Sequence, residues 1–241
     1  MLYLRSLIFT ALMIVTMPII IIPCFLLWFF PYPLRWKFMS NWAKLVNWML
    51  KAICGLSYEV INPENIPNTP VIFFCKHQSA WETIAMQQIL PAHVWVLKRE
   101  LIWVPVFGWA LLELESIAIN RKAGKKAMEQ VIQQGTMRLN KGRSIMIFPE
   151  GTRVAPGEVR RFGMGGPVLA EKSGYPVTLV AHNAGEYWRR RDMIKHAGVI
   201  KVVIGPTIET KGKTAAEIKE FAEQWMKETM NEITTLESAD H

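Results

Sequence analysis

No acidic residue occurs before Glu59, while Arg5, Arg35, Lys37, Lys44 and Lys51 place five of the chain's net +8 charges in that stretch. Charge of either sign is absent from Ser6 to Phe30. Cysteine is scarce: Cys24, Cys54 and Cys75 are an odd count without short spacing, which excludes a disulfide framework and a zinc knuckle and fits a reducing compartment. His77, His93, His182, His196 and His241 form no spaced cluster with carboxylates or cysteines, so no metal site is expected. There is no internal repeat, no low-complexity tract and no G-x-S-x-G elbow for a serine nucleophile. A nucleic-acid partner is not expected either. That reading needs a basic stripe on the body, and the only dense run, Arg189-Arg190-Arg191, is flanked by Glu186 and Asp192.

The uncharged stretch is what lifts the hydrophobic share to 51%. As a helix rising about 1.5 Å per residue it is long enough for the roughly 30 Å hydrocarbon core. Pro18 and Pro23 make a kinked or partly inserted helix an equal reading. The run is too long for the apolar region of a cleaved signal peptide, and no small-x-small site follows it. Arg35, Lys37, Lys44 and Lys51 interleave with Trp36, Trp42 and Trp48 beyond it, a mixture that marks a membrane interface and favours the cytoplasmic leaflet. Pro31-Tyr32-Pro33 breaks the first helix, and Lys37 to Ile53 reads as a second, amphipathic one. The two form either a hairpin in one leaflet or a membrane helix followed by a core helix. Residues 1–56 are therefore expected to be membrane-associated helices, and residues 57–241 a separate body on the cytoplasmic side.

From Ser57 onward the pattern alternates. Strands are predicted at 58–61, 70–75, 93–97, 117–119, 144–148, 177–180 and 199–204. Helices are predicted at 79–89, 100–112, 122–140, 166–172 and 214–236, the last with Ile218, Phe221, Trp225 and Ile233 inward. Such alternation implies an α/β fold, a mainly parallel sheet flanked by helices.

Polar chemistry in such folds collects at strand ends. His77 follows one apolar strand and is placed to act as a general base near neutral pH. Glu82 lies five residues on, about 140° away on a continuous helix, so the two meet only if His77 sits in the turn before it. Ser79-Ala80-Trp81-Glu82 also fits a capping box with Ser79 as N-cap. Glu82 therefore reads either as a partner of His77 or as a helix-start residue reaching back to the Ser79 amide. Free amides at that helix start suit a developing oxyanion or a phosphate. After a second strand, Gly151 permits a tight turn, and Arg153 offers a planar fork for phosphate or carboxylate. Glu150 is expected to orient Arg153 or accept a substrate hydroxyl. Arg121 follows a third strand and Lys98-Arg99 a fourth, so several cations are expected to gather at one sheet edge.

These residues resemble the glycerolipid acyltransferase family. Phe148-Pro149-Glu150-Gly151-Thr152-Arg153 is similar, residue for residue, to its F-P-E-G-T-R block. His77…Glu82 is similar to its His-x4-acid block. Ile117 to Arg121 and Tyr175 to Val180 are similar to its other two blocks, and the likeness runs from about Tyr58 to Gly205. The resemblance implies direct acyl transfer from a thioester, on coenzyme A or acyl carrier protein, to the hydroxyl of a lysolipid, without cofactor or metal. It assigns His77 as base and Glu82 as its orienting acid. It assigns Arg121 and Arg153 to the acceptor's phosphate, with Glu150, Gly151 and Thr152 shaping that pocket and Lys98 and Ser79 as additional members. Two features depart from the family pattern: the acid is usually Asp, and Gly163 stands where a lysine commonly follows Phe162. Both bear on the acceptor, expected to be lysophosphatidate, with a lyso-aminolipid as the alternative. A non-catalytic lipid-binding protein of the same fold and a thioesterase-like hydrolase are the contrasting readings.

Overall fold

In the computed structural model the described residues are 1–24, 26, 28–120 and 123–235. Helix α1 (Leu2–Cys24) turns at Pro31 into α2 (Tyr32–Met49), which ends in a π-helical turn over Leu50–Cys54. Strands β1 (Leu56–Ile61), β2 (Ile72–Cys75), β3 (His93–Lys98), β4 (Ile117–Ile119), β5 (Ser144–Ile147), β6 (Val177–His182) and β7 (Gly198–Ile208) form one sheet in the order β1-β7-β6-β2-β5-β3-β4. All neighbours are parallel except β6 and β7. The central strands β2, β5 and β6 are buried along their whole length, which is why they read as unbroken apolar runs.

The helices divide between the two faces. Helix α3 (Trp81–Ile89), which follows β2, packs with α2 on one face through Ile84, Ala85 and Met86. Helix α6 (Gly165–Ser173), which follows β5, packs with α5 (Lys125–Asn140) and α8 (Ala215–Ile233) on the other. A side chain at Gly166 would strike the Phe74 ring at 2.8 Å, so glycine there lets α6 seat on β2. Because β2 and β5 are adjacent and send their helices to opposite faces, a crevice opens between their carboxyl ends.

Helix α1 turns Ser6, Phe9 and Ile21 inward and leaves Leu7, Ile14, Val15, Ile19 and Ile22 exposed. By length and composition it can cross a membrane. Lys37, Lys44 and Lys51 are exposed on and just after α2, beside Phe38 and Trp48.

Several local expectations change. Arg35 is not an interfacial cation: it pairs inside the body with Glu113 at 2.8 Å and Glu115 at 2.9 Å, beyond helix α4 (Phe107–Glu113). The helix expected over 100–112 is a 3-10 turn, Arg99–Trp103, and then α4, because Pro105 lies between them. Helix α3 begins at Trp81 rather than Ser79. The complete capping box lies elsewhere, at α8: Thr214 Oγ1 accepts the Glu217 amide at 3.3 Å, and Glu217 accepts the Thr214 amide at 2.8 Å. Phe221 on α8 is 49% exposed, not inward. A short helix missed in the sequence, α7 (Ala184–Tyr187), follows β6.

Candidate active site

His77 lies in the loop between β2 and α3, and four interactions fix it. Its Nδ1 is 2.8 Å from Glu82 Oε1. A carboxylate only accepts, so Nδ1 carries a proton, and in the neutral ring the lone pair is on Nε2. The ring stacks on Phe148 at 3.9 Å and 12°, and Phe148 stacks on Trp95 at 5.6 Å. The His77 amide donates to Glu150 Oε2 at 2.8 Å, and the His77 carbonyl accepts from the Val154 amide at 2.8 Å. The loop after β5 thus grips His77 by its backbone and by its ring.

Both readings of Glu82 coexist in one carboxylate. Besides His77, it accepts the Gln78 amide at 2.9 Å and the Ser79 amide at 2.8 Å. Ser79 Oγ accepts the Trp81 amide at 3.2 Å and donates to the Trp188 carbonyl at 2.6 Å, leaving Ala80 as N-cap. Around this helix start the amides of Gln78, Ser79 and Trp81 are therefore occupied. Burial pushes the Glu82 carboxyl up, but the donors from His77 and Ser79 and the nearby His182 ring hold it below the usual carboxylate range. His182 is itself neutral: burial pushes its pKa down, Nδ1 accepts from the Ala184 amide, and Nε2 donates to the Lys76 carbonyl at 2.8 Å. Three hydrogen bonds, from His77, Gln78 and Ser79, converge on the Glu82 carboxylate.

Glu150 faces away from where the sequence placed it. Its carboxylate is buried, ion-pairs with Lys76 and accepts the His77 amide. Burial pushes its pKa up, and Lys76 opposes that. Gly151 takes φ 72° as the loop turns back, a left-handed conformation that glycine adopts without strain.

A cavity of about 550 Å³ opens over His77. The sequence-derived residues lining it are His77, Lys98, Gly151, Thr152 and Arg153. Lys98 also pairs with Glu100 at 3.3 Å. Arg121 lies outside the described residues, although β4 ends at the same edge, with Ile119 in register with Lys98. The remaining wall is mainly apolar and includes Met13, Met17, Trp42, Ile84 and Leu111, so the first two helices roof the site. Sequence reasoning did not find that roof, nor Lys76, His182 or Arg190. Lys76 carried one signal, a lysine interrupting an apolar strand end directly before the candidate base.

Known proteins resemble this chain in sequence and in fold. A family profile for acyltransferases matches residues 57–183. The 1-acyl-sn-glycerol-3-phosphate acyltransferase of Pseudomonas aeruginosa is 43% identical over 86% of this chain and 82% of its own. The Saccharomyces cerevisiae protein of that description is 27% identical over 81% of this chain and 67% of its own. The crystal structure of the 1-acyl-sn-glycerophosphate acyltransferase PlsC of Thermotoga maritima superposes with a TM-score of 0.79 at 21% identity, covering 98% of this chain and 97% of that one. At that identity the structure speaks for the fold.

Proposed function

Since this chain belongs to the acyltransferase family, we propose that it moves a fatty acyl group from a thioester, on coenzyme A or acyl carrier protein, to the free hydroxyl of lysophosphatidate. The observation that carries this reading is a histidine whose Nδ1 is held by a buried carboxylate and whose ring opens into an apolar cavity lined by cations. Nε2 of His77 takes the acceptor's hydroxyl proton while that oxygen attacks the thioester carbonyl. The carbon–sulfur bond then breaks, and the imidazolium returns the proton to the departing thiolate. Glu82 keeps the tautomer correct and stabilises the imidazolium between the two transfers. Arg153 and Arg121 pair with the acceptor's phosphate, as guanidinium forks do, while Thr152 and Gly151 shape the loop that carries Arg153. The apolar wall takes acyl chain.

The lipid substrates fit the first two helices. Residues 1–56 associate with the membrane through the exposed apolar side of α1 and the lysines of α2, and residues 57–241 face the cytoplasm.

The test is a single-turnover assay with labelled acyl thioester and either lysophosphatidate, a lyso-aminolipid or no acceptor. Label entering phosphatidate is the expected result. Label in the aminolipid alone would move the acceptor, free fatty acid without acceptor would indicate a hydrolase, and binding without transfer would leave a lipid-binding protein. His77→Ala should abolish transfer while leaving folding and membrane association intact.

A further inference from the structure

The triple-arginine run, unassigned by the reading above, supplies one residue to the cavity. Arg190 lines it, whereas Arg189 and Arg191 do not. Its loop, between α7 and β7, is held on several sides. The Trp188 carbonyl accepts Ser79 Oγ at 2.6 Å, Asp192 Oδ1 accepts the Ile194 amide at 2.8 Å, and the backbone turns at Arg191 with φ 62°. Arg190 Nη1 donates to the Arg153 carbonyl at 3.4 Å, so the two guanidinium-bearing loops touch.

The charges of the wall are one-sided. Lys98, Arg153 and Arg190 line it with His77, and no carboxylate does so among the described residues. Cations gathered on a largely apolar wall repel one another more than they would in open water, and an anion between them removes that cost. Arginine offers five donors in a planar fork, of which one is committed to Arg153. A tetrahedral phosphate is the anion that such a fork pairs with two-pronged.

We propose that Arg190 binds phosphate beside Arg153, as a second guanidinium brought to the cavity by the α7–β7 loop. This rests on the acyl-transfer reading, in which both substrates carry phosphate: the acceptor at its headgroup and the donor on its pantetheine arm. The shared chemistry is a phosphate at the cavity mouth.

The experiment uses full-length protein in detergent micelles and two ligand pairs that differ in phosphate: lysophosphatidate against monoacylglycerol, and acyl-coenzyme A against acyl-pantetheine. Equilibrium binding is measured for wild type, Arg190→Ala, Arg190→Lys and the exposed control Arg189→Ala. Arg190→Ala should weaken the phosphate-bearing member of one pair by about 5- to 30-fold, the range of a charge-assisted hydrogen bond at a partly open site. It should leave the phosphate-free member unchanged, with Lys restoring part of the loss. Loss in the acceptor pair assigns Arg190 to the acceptor's phosphate, and loss in the donor pair assigns it to the donor's. No loss, equal loss within a pair, or the same loss from Arg189→Ala would overturn the proposal. Binding is read without turnover, so a wild type that binds but does not transfer would sink the acyl-transfer reading alone.

Discussion

Glu82 is held as a carboxylate in a place without solvent, where three donors converge on it: an imidazole N–H and two backbone amides. Its replacement by glutamine keeps the size and one acceptor oxygen but removes the negative charge that stabilises the imidazolium. Glu82→Gln should therefore lower the single-turnover rate by about 10³- to 10⁴-fold with little change in acceptor KM, the scale on which loss of the orienting carboxylate's charge acts. Glu82→Asp retains the charge but shortens the reach from α3, and a misplacement of about 1 Å costs roughly 100-fold; an unchanged rate would mean that the His77 contact is not catalytic. Lys76 and Glu150 act on the same histidine from the other side. Lys76→Met leaves the Glu150 carboxyl buried without its cation and should destabilise the fold by about 3–5 kcal/mol. Lys76→Met with Glu150→Gln should recover at least half of that, read as coupling in a double-mutant cycle of unfolding free energies. The His77 block and the Phe148–Arg153 block were legible because their chemistry follows short strands directly. The Lys76–Glu150 pair was not, because it joins positions just past neighbouring strands, and nothing in the order of residues states that β2 and β5 adjoin.

Two loops and two helices build the site as elements. The β2–α3 loop carries the base, and the β5–α6 loop clamps it through Glu150, Phe148 and Val154. Adjacency of β2 and β5 brings both to one edge. The roof comes from α1 and α2, whose Met13, Met17 and Trp42 face the cavity while α1 keeps its opposite side exposed. Met17→Trp should intrude on the space for acyl chain and shift the kcat/KM optimum toward shorter donors. Each methylene that no longer fits forfeits about 0.8 kcal/mol, close to a factor of four. The measurement is kcat/KM across a series of saturated acyl thioesters, and an optimum unmoved from wild type would place the chain elsewhere. Alternating strands and helices were readable from hydrophobic period alone. The roof was not, because an apolar helix facing lipid and one facing a substrate cavity have the same composition. Helix ends were misread where a tertiary contact outranked local propensity: Ser79 bonds Trp188 rather than capping α3 alone.

Across the whole molecule, buried neutral imidazoles set how the fold responds to acid. His93 lies among Trp36 at 4.5 Å, Trp95 at 4.8 Å and Phe73 at 6.2 Å, and its Nδ1 donates to the Pro91 carbonyl at 2.8 Å. Burial lowers its pKa to about 4, and burial lowers that of His182 as well. In the unfolded chain a histidine takes up its proton near pH 6.5. Between there and pH 4 the unfolded state therefore binds the proton that the folded state refuses, so stability falls as pH falls. For His93 the loss over that window is roughly 3 kcal/mol, at about 1.4 kcal/mol per pH unit. Glu82 works in a lower window: its depressed pKa gives stability that is present above the ordinary carboxylate range and lost below it. His93→Phe keeps an aromatic ring among Trp36, Trp95 and Phe73 and removes the proton site, at the expense of the Pro91 hydrogen bond. The variant should start less stable at pH 7 and lose less between pH 6.5 and pH 4 than wild type does. Thermal unfolding midpoints in detergent across that range measure the difference in slope, and parallel curves for the two proteins would show that His93 does not govern the acid response.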